Sequence, residues 1–405
     1  MRDAPSVEGR PDRADGRPSF ERTQSRLEEQ VEDGLFTRGA QLAVEISGER
    51  LLDVAIGDCG TGTPMSPEHV IRVYCTIKPV TVLAVARLVE QGVVSLDEPL
   101  DALLPDMQVL AGGVTLRNVL THTAGLHFPG GVEMEMVPAA RRRAIIARTE
   151  RPADWRLGVD AAYSEYAAWH ILGWLLESVT GEPLRQHLRR EVLDPLDLRS
   201  TWVGMTPDQY RAALSRLGVN VDMRNLGGFP MLFERGERVC TETNPAHGGY
   251  TNARDLARLY TALLATLADR DGPHVVSSST LQLFCSPARA TTYDLILQRE
   301  CSYGLGFMTD LRDHAFGSRC GATSFGHSGN LGNSLAFADP ARELTVGLVF
   351  NGLVGHEAAF MRREALINEL YADLDELSAP MPDPVQARNG KRARPRVRLG
   401  RRSRQ

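Results

Sequence analysis

The sequence predicts an α+β fold in which an antiparallel sheet and a mostly helical lobe share one chain of 405 residues. Two strand-like runs, 40–46 and 51–56, flank the turn-forming stretch Ser47-Gly48-Glu49-Arg50 and predict an early hairpin. Strand-like runs return at 303–308, 334–338 and 344–350, whereas the segment between 96 and 245 has mostly helical periodicity. Strands at both ends and helices between them therefore indicate a sheet built from early and late segments.

Five helices are predicted around this sheet. Helical periodicity starts near Ser25, and a nearly all-apolar helix runs from Cys75 to a stop at Gly92, as expected of a buried central helix. A second apolar helix covers 167–179, and Asn252 is expected to cap a third. The last predicted helix covers 356–374.

These elements define the expected boundaries. Residues 1–24 are rich in Arg, Asp, Gly and Pro and are predicted to be disordered. One globular domain follows at 25–378, with a sheet lobe at about 25–95 and 246–378 and a helical lobe at about 96–245. Residues 379–405 are interpreted as a basic disordered tail. The functional site is expected between the two lobes.

Composition excludes several classes of function. Nine basic residues and no acidic one follow position 387, so the remainder of a chain with net charge −5 is strongly acidic, which argues against nucleic acid as a partner. No apolar run is long enough to span a membrane, and the amino terminus lacks the apolar core of a secretory signal, so we expect a cytoplasmic protein. The cysteines show no paired spacing, which predicts neither a disulfide framework nor a zinc site: Cys59, Cys75, Cys240, Cys285, Cys301 and Cys320.

The most informative stretch is Cys75-Thr76-Ile77-Lys78, which opens the central helix. A helix places side chains three residues apart on one face, so the Cys75 thiol and the Lys78 amine should be neighbours. The unpaired N–H groups and partial positive charge of a helix N-terminus also favour a thiolate. Two further short motifs follow in the chain, Tyr163-Ser164-Glu165 and His327-Ser328-Gly329, the latter at the start of a predicted late strand and followed by Asn330.

Each motif alone is weak, but their order resembles that of class C β-lactamases, penicillin-binding peptidases and β-lactamase-like esterases and transacylases. That family carries Ser-x-x-Lys, then Tyr-x-Asn, then Lys/His-Thr/Ser-Gly. Further stretches of this chain look like the same family, and the resemblance covers roughly 25–375: 120–126 (LTHTAGL), 194–196 (DPL), 248–250 (GGY) and 303–307 (YGLGF).

The resemblance implies a role for each motif residue. Cys75 would be the nucleophile, Lys78 its base or a local positive charge, and Tyr163 a proton shuttle for the leaving group and the incoming nucleophile. Backbone N–H groups of Cys75 and Asn330 would stabilise the oxyanion. His327 and Ser328, which precede Gly329, would hold the substrate or tune Tyr163.

Two positions depart from the family pattern. Cysteine replaces serine at position 75; a thiol ionises more readily than an alcohol, so Lys78 can act as the counter-ion of a thiolate rather than as a base. A thioester also reacts more readily with amines than an ester does. Glu165 stands where the family usually carries Asn; its carboxylate could raise the pKa of Lys78 or receive a cationic substrate group, and it argues against β-lactam hydrolysis.

The expected function is thus acyl transfer through a Cys75 thioacyl intermediate, from a small ester or amide to an amine, without ATP, as in secondary metabolism such as antibiotic biosynthesis. The alternatives are a hydrolase of the same fold and an inactive protein that binds an acyl ligand. No cofactor or metal is expected, because His127, His170 and His247 lack metal-ligand spacing. His122 is interpreted as a structural turn residue. The sequence leaves the oligomeric state open.

Overall fold

A computed structural model describes residues 19–128, 132–225 and 227–378 of the protein. The predicted tail at 379–405 and most of the predicted disordered segment at 1–24 lie outside these residues. The helices are α1 Glu21–Glu32, α2 Lys78–Glu90, α3 Leu116–Leu120, α4 Ala139–Ala147, α5 Ala167–Thr180, α6 Leu184–Leu188, α7 Pro207–Ala213, α8 Glu237–Thr241, α9 Ala253–Leu267, α10 Ser278–Cys285 and α11 His356–Ser378. The strands are β1 Gly39–Ile46, β2 Glu49–Gly57, β3 Ile71–Arg72, β4 Trp202–Val203, β5 Val221–Asp222, β6 Phe229–Pro230, β7 Gly249–Thr251, β8 Arg289–Asp294, β9 Arg299–Tyr303, β10 Met308–Thr309, β11 Phe325–Ser328, β12 Ser334–Asp339, β13 Leu344–Phe350 and β14 Gly352–Leu353.

The main sheet has eight strands in the order β2-β1-β13-β12-β11-β10-β9-β8, and every pair in it is antiparallel. The predicted early hairpin is confirmed, since β1 pairs with β2, and β1 also pairs with the late strand β13. Helices α1 and α11 pack together on the sheet, while α9 packs against β13, β1 and β12. Because helices cover both faces, β13 is buried along its whole length, as its continuous apolar sequence requires.

The helical lobe is organised around α2, which packs against α5 and α6. Ten of the thirteen residues of α2 are buried, which agrees with the prediction of a central buried helix. The predicted helix at 167–179 is α5; it ends at Gly181, whose positive φ of 69° suits the left-handed residue that closes a helix. Asn252 caps α9 as expected, because its side chain accepts a hydrogen bond from the Asp255 N–H at 2.9 Å.

Four local features differ from the sequence prediction. Helix α1 already begins at Glu21, inside the segment predicted to be disordered. The run 303–308 is interrupted because Gly304 donates to the Phe307 carbonyl in a turn, so β9 ends at Tyr303 and β10 begins at Met308. His327 and Ser328 end strand β11 rather than start a strand. Strand β8 was not predicted from its polar sequence, Arg-Ala-Thr-Thr-Tyr-Asp.

Candidate active site

Cys75 lies in a single 3₁₀ turn, Tyr74–Ile77, that leads directly into α2. The turn is tied to strands β7 and β12, because the Val73 N–H donates to the Gly249 carbonyl at 2.9 Å and the hydroxyls of Thr76 and Ser334 bond at 2.8 Å. Lys78 is the first residue of α2, where it is followed by a proline, a residue favoured in the first helical turn. The thiol of Cys75 therefore occupies a fixed position at the foot of the central helix.

Lys78 is fully buried beside Cys75. Its Nζ donates to the Tyr163 hydroxyl at 2.5 Å and to the Glu165 backbone carbonyl at 3.0 Å. The same nitrogen lies 4.5 Å from the ring centre of Tyr163 and 4.8 Å from that of Trp169. Burial lowers the pKa of Lys78, although Cys75 and Glu165 partly offset this effect. The amine is therefore prepared to lose a proton more easily than an ordinary lysine.

Tyr163 is positioned by the β8–β9 segment and by His122. Its backbone N–H donates to the Asp294 carboxylate at 2.9 Å, and its ring meets the His122 imidazole edge-on at 4.7 Å. His122 in turn accepts from the Ser164 N–H at 3.1 Å through Nδ1, which is the structural role expected of it. Burial raises the pKa of the Tyr163 phenol well above its usual value, so it is neutral and can donate a proton.

Part of the third motif lines the cavity, and part of it is buried behind the cavity wall. Ser328, Gly329 and Asn330 line the cavity together with Cys75. His327 is fully buried; its Nε2 lies 3.3 Å from the Tyr303 hydroxyl, and its ring centre lies 6.2 Å from that of Tyr163. Burial lowers the pKa of His327 well below its usual value, so this imidazole is neutral. His327 therefore lies beneath Tyr163 rather than at the cavity surface.

The cavity has a volume of about 280 Å³ and opens between the strand end and α11. Glu165 lies on the Lys78 side, and His356, Phe360 and Arg363 of α11 form the opposite wall. Arg363 is only 3% exposed, stacks near Phe360 at 5.2 Å, and has no carboxylate partner among the described residues. The cavity thus carries an acidic group on one side and a basic group on the other.

Cys75 differs electrostatically from the other buried cysteines. All six cysteines are free and buried. Burial raises the pKa of the thiol to about 11 or 12 at four of them: Cys240, Cys285, Cys301 and Cys320. Burial also acts to raise the pKa of Cys75, but the positive charges of Lys78 and His247 lower it to about 7. The surroundings of Cys75 therefore favour its thiolate more than those of the other four thiols favour theirs.

His247 and Glu135 are the functional candidates that sequence reasoning missed. His247 lines the cavity with Cys75, and its Nδ1 lies 3.2 Å from Oε1 of Glu135. These two residues are 112 positions apart, so no local motif joins them. The one sequence signal was that His247 directly precedes the Gly248-Gly249-Tyr250 stretch, which resembles the family. From the sequence, this histidine is considered only as a metal ligand, and therefore no function is predicted for it.

Side chains that ligate metals do not cluster in the part of the chain that the structure describes. No group of three or more His, Cys, Asp or Glu side chains in those ranges could hold a metal ion. Within the same ranges, none of the helices is both long and apolar enough to cross a membrane.

Comparisons with known proteins agree on one family. The β-lactamase family model matches residues 26–370. "Esterase/beta-lactamase LipL" of Mycobacterium tuberculosis is 25% identical over 343 residues, which cover 78% of this chain and 77% of that protein. "Acyltransferase mokF" of Monascus pilosus is 27% identical over 255 residues, 57% of this chain and 60% of that protein. The crystal structure of a penicillin-binding protein homologue from Caulobacter crescentus superposes with a TM-score of 0.70 at 25% identity, covering 87% of this chain and 98% of the other.

Two of the relatives named above are an esterase and an acyltransferase, and the residues that the family model matches include all three motifs that form the cavity. The predicted fold is thereby confirmed, including its two-lobed arrangement of an antiparallel sheet and helices. The chain belongs to the β-lactamase family.

Proposed function

We propose that this protein is an acyl-transfer enzyme in which Cys75 accepts an acyl group from a small ester or amide and passes it, as a thioester, to an amine. No cofactor or ATP takes part in this scheme. The presence of esterases, amidases and acyltransferases among its relatives supports acyl chemistry in general. The choice of nucleophile and of acceptor rests on the residues of this chain.

The observation that carries the proposal is the position of Cys75 at the cavity beside Lys78 and His247, whose positive charges favour its thiolate. Its pKa of about 7 contrasts with the pKa of about 12 for Cys285, although both thiols are buried. A cysteine that merely replaced serine in a decayed site would have no reason to face the cavity between two cationic side chains. The charge around Cys75 therefore supports a working nucleophile.

The roles of the neighbouring groups follow from their geometry. Tyr163 is a neutral phenol that donates to the leaving group, and Lys78, 2.5 Å away, returns or removes the proton. Lys78 is one of only two lysines in a chain with 44 arginines. Arginine stays charged at all relevant pH values, so a lysine here suits a group that must release a proton. The N–H groups of Cys75 and Asn330 are assigned to the oxyanion.

Two features favour an amine over water as the acceptor. The thioester formed at Cys75 is intrinsically more reactive toward amines than an oxygen ester. The Glu165 side chain also lines the cavity and offers a negative charge near the point of attack, where it can attract a protonated amine. Hydrolysis is the second candidate, and the similarity to an esterase over 78% of the chain favours it.

The test is to incubate the protein with a panel of small activated esters, with and without amines, and to map adducts by intact and peptide mass. An acyl adduct on Cys75 that an amine clears faster, with an amide as product, supports the transacylase. An adduct cleared equally with and without amines identifies a hydrolase. Absence of any adduct, together with resistance of Cys75 to alkylation in the folded protein, contradicts both and leaves an acyl-binding protein.

Cys75→Ser is the matched variant for the acceptor question. It restores the nucleophile usual in the family and replaces the thioester by an ester. We expect the serine variant to lose most of the acceleration by amines while it still releases the acyl group to water. Equal acceleration by amines in both proteins would show that sulfur is not what selects the acceptor.

A further inference from the structure

Besides Lys78, the Cys75 thiol has a second basic neighbour, an imidazole that is paired with a carboxylate. His247 is 3% exposed and lines the same cavity as Cys75. Glu135 accepts from Nδ1 of this ring at 3.2 Å, which leaves Nε2 as the atom free to exchange a proton with the thiol. A cysteine, a histidine and a carboxylate in this order form the arrangement that activates a thiol by proton transfer.

The imidazole is held in place by a surrounding network. The Arg72 guanidinium forms an ion pair with Glu135 and donates through Nε to the His247 carbonyl at 3.0 Å. Asn244 accepts from the His247 N–H at 3.1 Å and donates to Glu135 at 3.3 Å. Both the backbone and the ring of His247 are thus fixed before any substrate binds, as an efficient proton acceptor requires.

We propose that His247, oriented by Glu135, takes the proton of Cys75, so that Lys78 and Tyr163 remain available for the leaving group and the incoming amine. This division of labour rests on the proposed function, since it assumes that Cys75 is acylated. It adds to the three family motifs a second proton acceptor that belongs to none of them.

Protons and bonds balance through the reaction. The proton of the Cys75 thiol moves to Nε2 of His247, and the thiolate attacks the acyl carbon to form the carbon–sulfur bond. The bond to the leaving group breaks as that group takes a proton from Tyr163. The neutral amine nitrogen then attacks the thioester, and its proton returns to the Tyr163 oxygen through Lys78. Sulfur leaves as a thiolate and takes back the proton that the imidazolium holds, which restores the enzyme. The net reaction turns donor and amine into amide and protonated leaving group.

The charges that face His247 support an imidazolium. Burial acts to lower the pKa of His247, but Cys75 and Glu135 outweigh it and raise the pKa above its usual value, while Lys78 opposes them. Burial acts to raise the pKa of Glu135, but His247 and Arg72 lower it to about 2. The carboxylate therefore stays charged throughout the reaction and stabilises the imidazolium.

The chain contains a matched control for this pair. His187 of α6 lies at the same distance, 3.2 Å, from Glu182, and its side chain is buried to a similar extent. This second pair lies outside the cavity that contains Cys75. Any effect of a neutral histidine replacement on folding should appear in both pairs, whereas an effect on the thiol should appear only at His247.

The experiment compares His247→Gln, Glu135→Gln and His187→Gln with the wild type. For each protein, the rate of alkylation of Cys75 is measured as a function of pH, and the acylation and amine-transfer steps are measured separately in single turnovers. We expect His247→Gln to raise the apparent pKa of Cys75 by about one unit or more and to slow acylation at neutral pH by about 10²- to 10⁴-fold. Glu135→Gln should give a smaller loss of about tenfold, and His187→Gln none.

A folded His247→Gln protein with an unchanged alkylation profile would overturn the proposal. If that variant does not fold, NMR of ¹⁵N-labelled histidine in the wild type and Cys75→Ala decides: the pKa of His247 should fall when the thiol is removed, and an unchanged pKa rejects the pair. The two proposals fail separately. A shifted alkylation profile without amine transfer keeps the His247 role and rejects the transacylase, whereas amine transfer with an unchanged profile does the reverse.

Discussion

Cys75 has two basic neighbours, Lys78 and His247, and their surroundings shift the two pKa values in opposite directions. On one side, Lys78 is buried among a phenol, an indole ring and a backbone carbonyl, and burial lowers its pKa. On the other side, His247 is paired with the charged Glu135, and its pKa is raised. The contrast shows that neighbouring groups shift the two pKa values in opposite directions: Lys78 releases a proton more easily than an ordinary lysine, and His247 binds one more strongly than an ordinary histidine.

The largest expected effect is the loss of the thiol that both sides share. Cys75→Ala should reduce acyl transfer by about 10⁴-fold or more and should abolish the covalent adduct, because the remaining groups cannot form a thioester. The measurement is steady-state transfer together with intact mass after incubation with an activated ester.

Cys285→Ala is the control, since Cys285 is equally buried but its pKa is raised to about 12. It should keep its activity and lose at most about 1 kcal/mol of unfolding free energy. A covalent adduct that persists in Cys75→Ala would show that another residue is the nucleophile. The roles of Lys78 and His247 as partners of Cys75 would then be rejected.

Replacement of Lys78 tests the side that releases a proton. Lys78→Met should slow transfer by about 10²- to 10⁴-fold, because the proton route through Tyr163 is lost. The Cys75 pKa should also rise, since the charge of Lys78 helps to lower it. Both effects are measured by single-turnover transfer and by alkylation as a function of pH.

Lys78→Arg separates charge from proton release. Arginine preserves the positive charge but does not deprotonate, so this variant should retain a low Cys75 pKa yet still fail to transfer the acyl group. Thermal unfolding confirms that the larger side chain is accommodated. Transfer at the wild-type rate by Lys78→Arg would mean that Lys78 acts only as a counter-ion.

The pH dependence is expected to be smaller and to follow the thiol. Because the pKa of Cys75 is about 7 and only the thiolate reacts, alkylation should fall on the acid side, to about one tenth of its maximum one pH unit below that value. Above the pKa the rate should level off. A profile centred near the ordinary thiol value, between about 8 and 9, would contradict the cooperation of Lys78 and His247.

The smallest expected effect concerns the side chain of Glu165, which lines the cavity on the Lys78 side. Glu165→Gln should raise the KM for a cationic amine by roughly three- to tenfold, with little change in acylation, because one attractive charge is removed. A neutral amine of similar shape provides the control and should show no such change. Equal losses for both acceptors would reassign Glu165 to positioning Lys78 and Tyr163.

The sequence predicted the parts of the molecule that local pattern controls. The hairpin, the buried helix after Cys75 and the ends of α5 and α9 follow from periodicity and capping residues, and they agree with the structure. Cys75, Lys78 and Tyr163 meet as expected, since each lies in a motif whose neighbours fix its position.

The sequence did not predict features that depend on contacts between distant parts of the chain. His247 and Glu135 approach each other through folding across 112 residues, and the glycines that follow His247 do not reveal a carboxylate partner so far away in the chain. The polar strand β8 lacks the alternation of a half-buried strand, and it forms because β9 supplies its hydrogen bonds. The third motif predicted that His327 would act at the cavity. In the structure its side chain is fully buried, with Nε2 next to the Tyr303 hydroxyl.

The close packing at Gly329 has a consequence for engineering this protein. A Cβ at this position would lie 2.6 Å from the Val73 carbonyl oxygen and would also strike Asn333 and Ser334, so the strand end and the nucleophile turn leave no room for a larger residue. The opposite wall is different, because Phe360 and His356 of α11 are only partly buried or exposed. A library designed to accept bulkier donors should therefore diversify α11 and leave the strand end untouched.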